Sequence, residues 1–384
     1  MQAVHRQPLS LKLLSSGFLF FWCIVAAFPI VWITVMSFKS PVDAFDASAL
    51  NVIFGPQTLA DGKGISLLDI LAYLGVAIWM GRSIKRTLPG MVMTFADKSG
   101  PVWLGWIIGA SITGLVVLVV FFALLPTVLG FLNPLVGPLG RDIWGFTTEH
   151  YTTVWIDRAF YRNFQNSMIV TAGVVTVSLT VGTLAGYGLA RSGSVLAFGI
   201  LIIALVFRAL PPSVLVAGYL PVFINSAELL RPFLGDAAPT LYGKPYAVIA
   251  VLVAMNQPFT IWMLRSFFQN IPAELDEAAR VDGCNHFQAF RRVIMPVMWP
   301  GVITTGLFSF LLAYNDFLVT SLLLDAQNQT MVPAIAGMFN RETTTTDQVV
   351  AVAAAVSITA PLIILVMVFQ RQIVSGLTAG AVKG

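Results

Sequence analysis

Long apolar runs separated by short polar intervals dominate the chain. Runs near residues 14–37, 67–84, 103–126, 166–190, 195–217, 246–265, 299–324 and 348–370 approach or exceed the ~20 residues with which a helix crosses ~30 Å of hydrocarbon. Eight spans are therefore predicted, and the architecture is all-α and integral to a membrane. The second run has the shortest clean apolar part and opens on Asp69, a pattern that also fits a re-entrant or interfacial segment. Pro211-Pro212 falls near the middle of the fifth and predicts a break, because proline removes a donor and clashes with the preceding turn.

The polar intervals set the threading. With Arg6 and Lys12 inside, crossings by both 67–84 and 103–126 return Arg82, Lys85, Arg86 and Lys98, against a lone Asp97, to the cytoplasm, as the positive-inside bias requires. The same parity places Arg191, the interval 266–298 and the tail 371–384, with Arg371 and Lys383, inside; a single crossing would turn 266–298 outward. Trp103 and Trp106 fit an aromatic belt at the inner edge of the third span. Intervals 38–66, 127–165, 218–245 and 325–347 then face outward, and Pro126, Pro134 and Pro138 with Gly130, Gly137 and Gly140 predict an irregular start to the second.

Composition agrees: 57% of residues are hydrophobic and 10% charged, against about 25% charged in a soluble domain. The uncharged run Leu13–Phe38 exceeds a signal-peptide core of about 7–15 residues and reads as an uncleaved first span. A net charge of +4 needs only loop topology, not nucleic acid. Cys23 and Cys284 lie in unlike intervals, so neither a disulfide nor a metal set is expected. No Gly-x-x-x-x-Gly-Lys-[Ser/Thr] phosphate loop occurs, and His5, His150 and His286 form no nucleophilic constellation with a serine or cysteine. No catalytic residue is expected, and the chain is not an ATPase by itself.

The longest polar interval of the C-terminal half reads as two short helices around a glycine. The first, about 273–281, follows Pro272 and carries Glu274, Asp276 and Glu277 in its opening turns, where carboxylates suit the helix dipole. Gly283 is a C-terminal stop. The second, about 286–295, puts Phe287 and Phe290 on one side and Arg291 and Arg292 near its end, and Pro296 closes it. Small alanines, exposed aromatics and charges of both signs make a knob for a partner protein; the alternative is an ordinary loop between spans.

Glu277-Ala278-Ala279, then three residues, Gly283, and Pro296 thirteen residues on resemble the coupling-loop signature of ABC importer permeases, with Val293 and Met295 where the signature prefers isoleucine and leucine. Asp282, Phe287 and Arg291 belong to the same stretch. Arg162-Asn163-Phe164-Gln165-Asn166-Ser167, Gly186-Tyr187-Gly188-Leu189-Ala190-Arg191, Arg208 with Pro211-Pro212, Tyr314-Asn315-Asp316-Phe317 and the ending Ile373–Gly384 resemble the carbohydrate-uptake subgroup, in particular the second permease of the maltose importer. The resemblance implies a type I ABC importer transmembrane domain with a six-span core and two extra spans. Its parts are 1–39 (N-terminal tail and first core span), 40–150 (an atypical insertion with two spans, whose length points to α-glucoside importers) and 151–384 (the core permease, with the coupling loop and tail). It also implies a second permease, two ATPase subunits that hold ATP and Mg, an extracytoplasmic binding protein and a sugar; this chain itself would hold no cofactor and no metal. The expected location is a bacterial inner membrane, with both termini cytoplasmic.

Arg208 and Asp316 are the charges deepest in predicted spans, where ionisable groups face a cavity or one another. Arg208 enters about 20 Å from the inner face. The pair is expected either to form a salt bridge or to gate the sugar path. Asn256, Gln257, Tyr219, Tyr314 and Asn315, with Phe259 and Trp262, have the hydrogen-bonding groups and flat faces a sugar needs, although each residue type is also ordinary packing. A secondary transporter driven by an ion gradient is the rival, but no convincing internal repeat supports it; an importer of a polyol or other solute is another alternative.

Overall fold

The computed structural model describes residues 9–99, 102–340 and 344–379. Arg6, Lys383 and the end of the tail, 380–384, lie outside the described residues. Among those described, seven helices are long and apolar enough to cross a membrane, and a bent pair makes an eighth. Contacts divide the chain into two units, 1–150 with 344–353 and 151–343 with 354–384.

In the first unit, α1 (Leu9–Met36) has no part of its most apolar window buried; Leu13, Phe18, Phe21, Trp22 and Phe28 are exposed. Such a surface belongs in lipid or against another subunit. A two-stranded antiparallel sheet, β1 (Gly64–Ser66) with β2 (Asp142–Gly145), pairs Ile65 with Trp144. The helix α2 (Leu67–Ser99) starts directly from β1.

Asp69, which together with the short apolar part made the second span doubtful, is used at the helix entry. The Ser66 hydroxyl accepts from Asp69 N–H at 3.1 Å, and the Asp69 carboxylate accepts from Ser66 N–H at 2.9 Å. That reciprocal pair is a capping box, which uses the carboxylate at the helix entry instead of carrying it into the span. Asn133 Nδ2 also donates to Asp69, at 3.0 Å. The membrane-length segment is Leu67–Met93, longer than the predicted 67–84, and the basic interval with Arg82, Lys85 and Arg86 is helical. Pro89 lies inside α2 without ending it. The next helix, α3 (Val102–Val119), passes through a π turn, Val120–Leu124, into Leu125–Leu132. Irregular structure therefore begins at Asn133, not at Pro126.

The second unit is built on α4 (Tyr161–Ser192) packed along α7 (Pro245–Gln269). Glycines bring the two backbones together: a Cβ at Gly182 would sit 2.5 Å from Thr260 Cγ2, and one at Gly186 would meet Arg265 N at 3.1 Å. Between them run α5 (Val195–Arg208) and α6 (Pro212–Ile224), bent by 97° at the two prolines, as predicted. After the interval 270–294, α10 (Met295–Tyr314) ends sooner than the predicted 299–324. The chain breaks at Asn315-Asp316 and restarts as α11 (Leu318–Leu323). Asp316 Oδ1 accepts from Thr320 N–H at 2.9 Å, so a local polar side chain competes with helix continuation. The last helix, α12 (Thr345–Ala379), belongs to the first unit up to Ala353 and to the second from Ala354.

Candidate functional site

Two short helices and a π turn form the interval between α7 and α10. α8 (Glu274–Val281) gathers Glu274, Asp276 and Glu277 in its first turn and Arg280 in its last, both favourable to the helix dipole. It ends in a Schellman motif: Cys284 N–H donates to Ala279 C=O and Gly283 N–H to Arg280 C=O, each at 3.0 Å. Gly283 has φ +86, a left-handed value that a side chain resists, although a Cβ there would meet nothing. α9 (His286–Ala289) opens with a second capping box, Asn285 with Gln288, at 2.8 and 3.0 Å.

Pro296 does not close this segment. α9 runs through the π turn Phe290–Ile294 into α10, giving one membrane-length stretch from His286 to Tyr314. A π turn carries a register change within a helix, and here it comes immediately before the proline ring. The turn also sends Phe290 inward, against Tyr187 (centroids 4.9 Å apart) and Phe268 (6.4 Å), so Phe290 is not one of the exposed aromatics. Ala279 is likewise buried, and only Ala278 of the two motif alanines faces out.

What stays outside is a compact set. Val281 is 87% exposed and Phe287 65%, next to exposed Glu277, Asp282, Gly283, Arg291 and Pro296. Among the described residues the Glu277 carboxylate has no ion-pair or side-chain hydrogen-bond partner. Two exposed apolar side chains beside an open carboxylate and open arginines, on a base fixed by two caps, form a surface able to enter a partner's groove.

The base is held by residues whose part the sequence reading missed. Asp276, the neighbour of Glu277, points inward: it pairs with Arg191 Nη2 at 2.8 Å and accepts from the Tyr187 hydroxyl at 2.8 Å. Arg191 Nη1 donates to Ile271 C=O at 3.1 Å. Beneath them Leu264, Phe268, Ile271, Ile294 and Met298 form a buried apolar cluster. The available signal was Tyr187 and Arg191 spaced four apart at the end of α4, which places them on one helix face.

The substrate-path candidates divide. Asn256 is buried, with Nδ2 donating to Ser309 Oγ at 2.7 Å and Thr260 Oγ1 at 3.0 Å. Tyr314 is buried and donates to Ile358 C=O at 2.8 Å while stacking on Phe310. Both use their polar groups inside the chain and are not available to a solute. Gln257 Nε2 reaches Ser178 C=O at 3.4 Å. Arg208 and Asp316 do not form the expected salt bridge: the Arg208 guanidinium lies over the Phe259 ring, 4.7 Å from its centroid, and Asp316 caps α11. Arg208 is exposed beside a cavity of about 340 Å³ at the helix break, also lined by Leu205, Pro212, Leu215, Met255 and Leu312. Tyr219 and Asn315 are exposed as well, and Trp262 lies next to Phe259.

Residues 178–378, just over half of the chain, match the family described as the binding-protein-dependent transport system inner membrane component. The chain belongs to this family. The permease is 35% identical over 240 residues to the diacetylchitobiose uptake system permease protein DasC of Streptomyces coelicolor, covering 62% of this chain and 81% of that one. It is 32% identical over 290 residues to the trehalose/maltose transport system permease protein MalG of Thermococcus litoralis, covering 72% and 96%. It is 33% identical over 242 residues to the trehalose transport system permease protein SugB of Mycobacterium tuberculosis, covering 62% and 82%. A crystal structure of a bacterial ABC transporter for alginate import aligns with a TM-score of 0.48 at 21% identity, over 69% of this chain and 95% of that one. The likeness to the carbohydrate-uptake subgroup stated from the motifs is borne out, and the permease is a multi-pass membrane protein.

Proposed function

We propose that this chain forms half of the translocation pathway of a sugar importer, together with a second permease, and that the interval Glu274–Pro296 is the point at which an ATPase subunit acts on it. One observation carries the reading: Val281, Phe287, Glu277 and Arg291 stand exposed on a base locked by a Schellman turn and a capping box. An oligosaccharide or α-glucoside is the substrate class, in keeping with the named sugars of the relatives. ATP and Mg belong to the ATPase subunits, whose closure would rock the permeases between inward-facing and outward-facing arrangements. An extracytoplasmic binding protein delivers the sugar to the outer surfaces. Both termini lie in the cytoplasm, the tail 371–384 reaches towards the ATPases, and 40–150 is an insertion into a six-span core made by 1–39 and 151–384.

Arg208 is proposed to face the sugar path. A guanidinium inside a span is costly unless it reaches water or a partner, and here it borders a cavity at a helix break and lies over Phe259, which in turn packs against Trp262. Asp316, Tyr219, Gln257 and Asn315 are secondary candidates.

The test is co-purification of the tagged chain with the products of its neighbouring genes, followed by ATP hydrolysis with and without sugar-loaded binding protein. A stable complex whose hydrolysis rises with the loaded protein is expected. A chain that purifies alone and moves solute under an ion gradient would overturn the reading.

A further inference from the structure

α8 has little of its own to hold it. Ala279 is its one buried residue, Leu275 is 37% exposed, and Glu277, Ala278 and Val281 face outward. Its directional attachment to the rest of the unit is Asp276, which Arg191 and Tyr187 of α4 grip from two sides. Arg191 holds Ile271, just before α8, through its carbonyl, and the Tyr187 ring packs at a tilt against Phe290, just after α9. Two residues of α4 therefore touch the interval before α8, within it and after α9.

α4 is suited to carry a displacement. It is a 32-residue helix with no internal proline, locked to α7 at Gly173, Gly182 and Gly186, where an added Cβ would meet α7 at 2.5–3.1 Å. At its far end Asn163 and Asn166 donate to the carbonyls of Gln329 and Gln327, beside a polar cavity of about 540 Å³. Packed interiors transmit strain because they deform little.

We propose that Tyr187, Arg191 and Asp276 are positioning residues that form a strut, passing movement of the coupling interval into α4. The adjacent carboxylates then have opposite roles: Glu277 meets the ATPase and Asp276 ties the interval to its own permease. The proposal rests on the reading that an ATPase drives this interval.

The experiment uses the assembled complex in lipid nanodiscs and measures ATP hydrolysis with and without sugar-loaded binding protein, per assembled complex. Asp276→Asn and Arg191→Gln should each lower the stimulation ratio at least about fivefold, the lower end of ordinary coupling strengths, while Asp276→Glu retains it. Because the two side chains act as one link, the double variant should be no worse than either single one. Losses that add in the double variant, or a full ratio in every variant with only a lower melting temperature, would overturn the proposal. Should Asp276→Asn not assemble, Tyr187→Phe carries the test, since it removes one hydroxyl: a reduced ratio supports the strut and an unchanged ratio refutes it. A wild-type complex with no stimulation would instead refute the functional reading beneath.

Discussion

Two polar knots interrupt this apolar chain, and they treat their charges in opposite ways. In the first unit Asp43 is buried and accepts from Gln57 N–H, Thr58 N–H, Thr58 Oγ1 and Ser40 Oγ. Lys39, also buried, donates to Gly145 C=O and lies over Trp144, while His150 Nε2 bonds Lys39 C=O at 2.8 Å. In the interval Glu274–Pro296, Asp276 turns inward to an ion pair with Arg191 and a hydrogen bond from Tyr187, yet Glu277 and Arg291 are left open. Burial with complete hydrogen bonding marks a residue that holds the protein together. A charge kept open beside exposed apolar side chains is what the proposed partner contact needs.

The sharpest way to break the contrast is at Gly283. Gly283→Pro removes an N–H of the Schellman motif and forbids the left-handed φ. Sugar uptake should fall by more than about tenfold, the effect of losing only ~1.4 kcal/mol of coupling, with the chain still in the membrane. Glu277→Lys should act alike by reversing an exposed charge. Normal uptake in both variants would remove the coupling assignment.

The other knot should respond through stability, not coupling. Asp43→Ala orphans buried donors and should destabilise by about 1–3 kcal/mol, read as a lower melting temperature with an unchanged ratio of ATP hydrolysis to transport. Ser66→Ala, which breaks the α2 capping box, should cost about 1 kcal/mol in the same assay. The smallest effect concerns pH. Burial pushes the Lys39 ammonium down from 10.5 to about 8, against an opposing pull from Asp43. Between pH 8 and 10.5 the unfolded chain binds more protons than the folded one, so this group makes stability rise with pH across that window, and below pH 8 its full penalty applies. Lys39→Met should flatten that part of the melting-temperature profile; an unaltered slope would show that Lys39 is not the source.

Much of this was legible in the sequence because it depends on spacing and backbone chemistry. Pro211-Pro212 bent the fifth span, Gly283 ended α8 and the apolar runs marked the helices. What stayed hidden depended on which way a side chain turns. Asp276 and Glu277 are adjacent carboxylates with nothing local to tell them apart until Tyr187 and Arg191, far earlier in the chain, claim one of them. Asn256 and Tyr314 have the chemistry of sugar contacts, but Ser309, Thr260 and the carbonyl of Ile358 satisfy them first. Phe290 left the exposed face because a π turn shifted the helix register, which simple periodicity does not register.

The measurement that bears most directly on the central claim is cross-linking from Val281. Val281→Cys, with Cys23 and Cys284 replaced by serine, would be treated with a short bifunctional thiol reagent in the co-purified complex. The predicted result is a product joining this chain to an ATPase subunit, lost when Gly283→Pro is added. A complex that assembles and hydrolyses ATP, but in which the thiol introduced at position 281 cross-links only to the second permease or to nothing, would contradict the account.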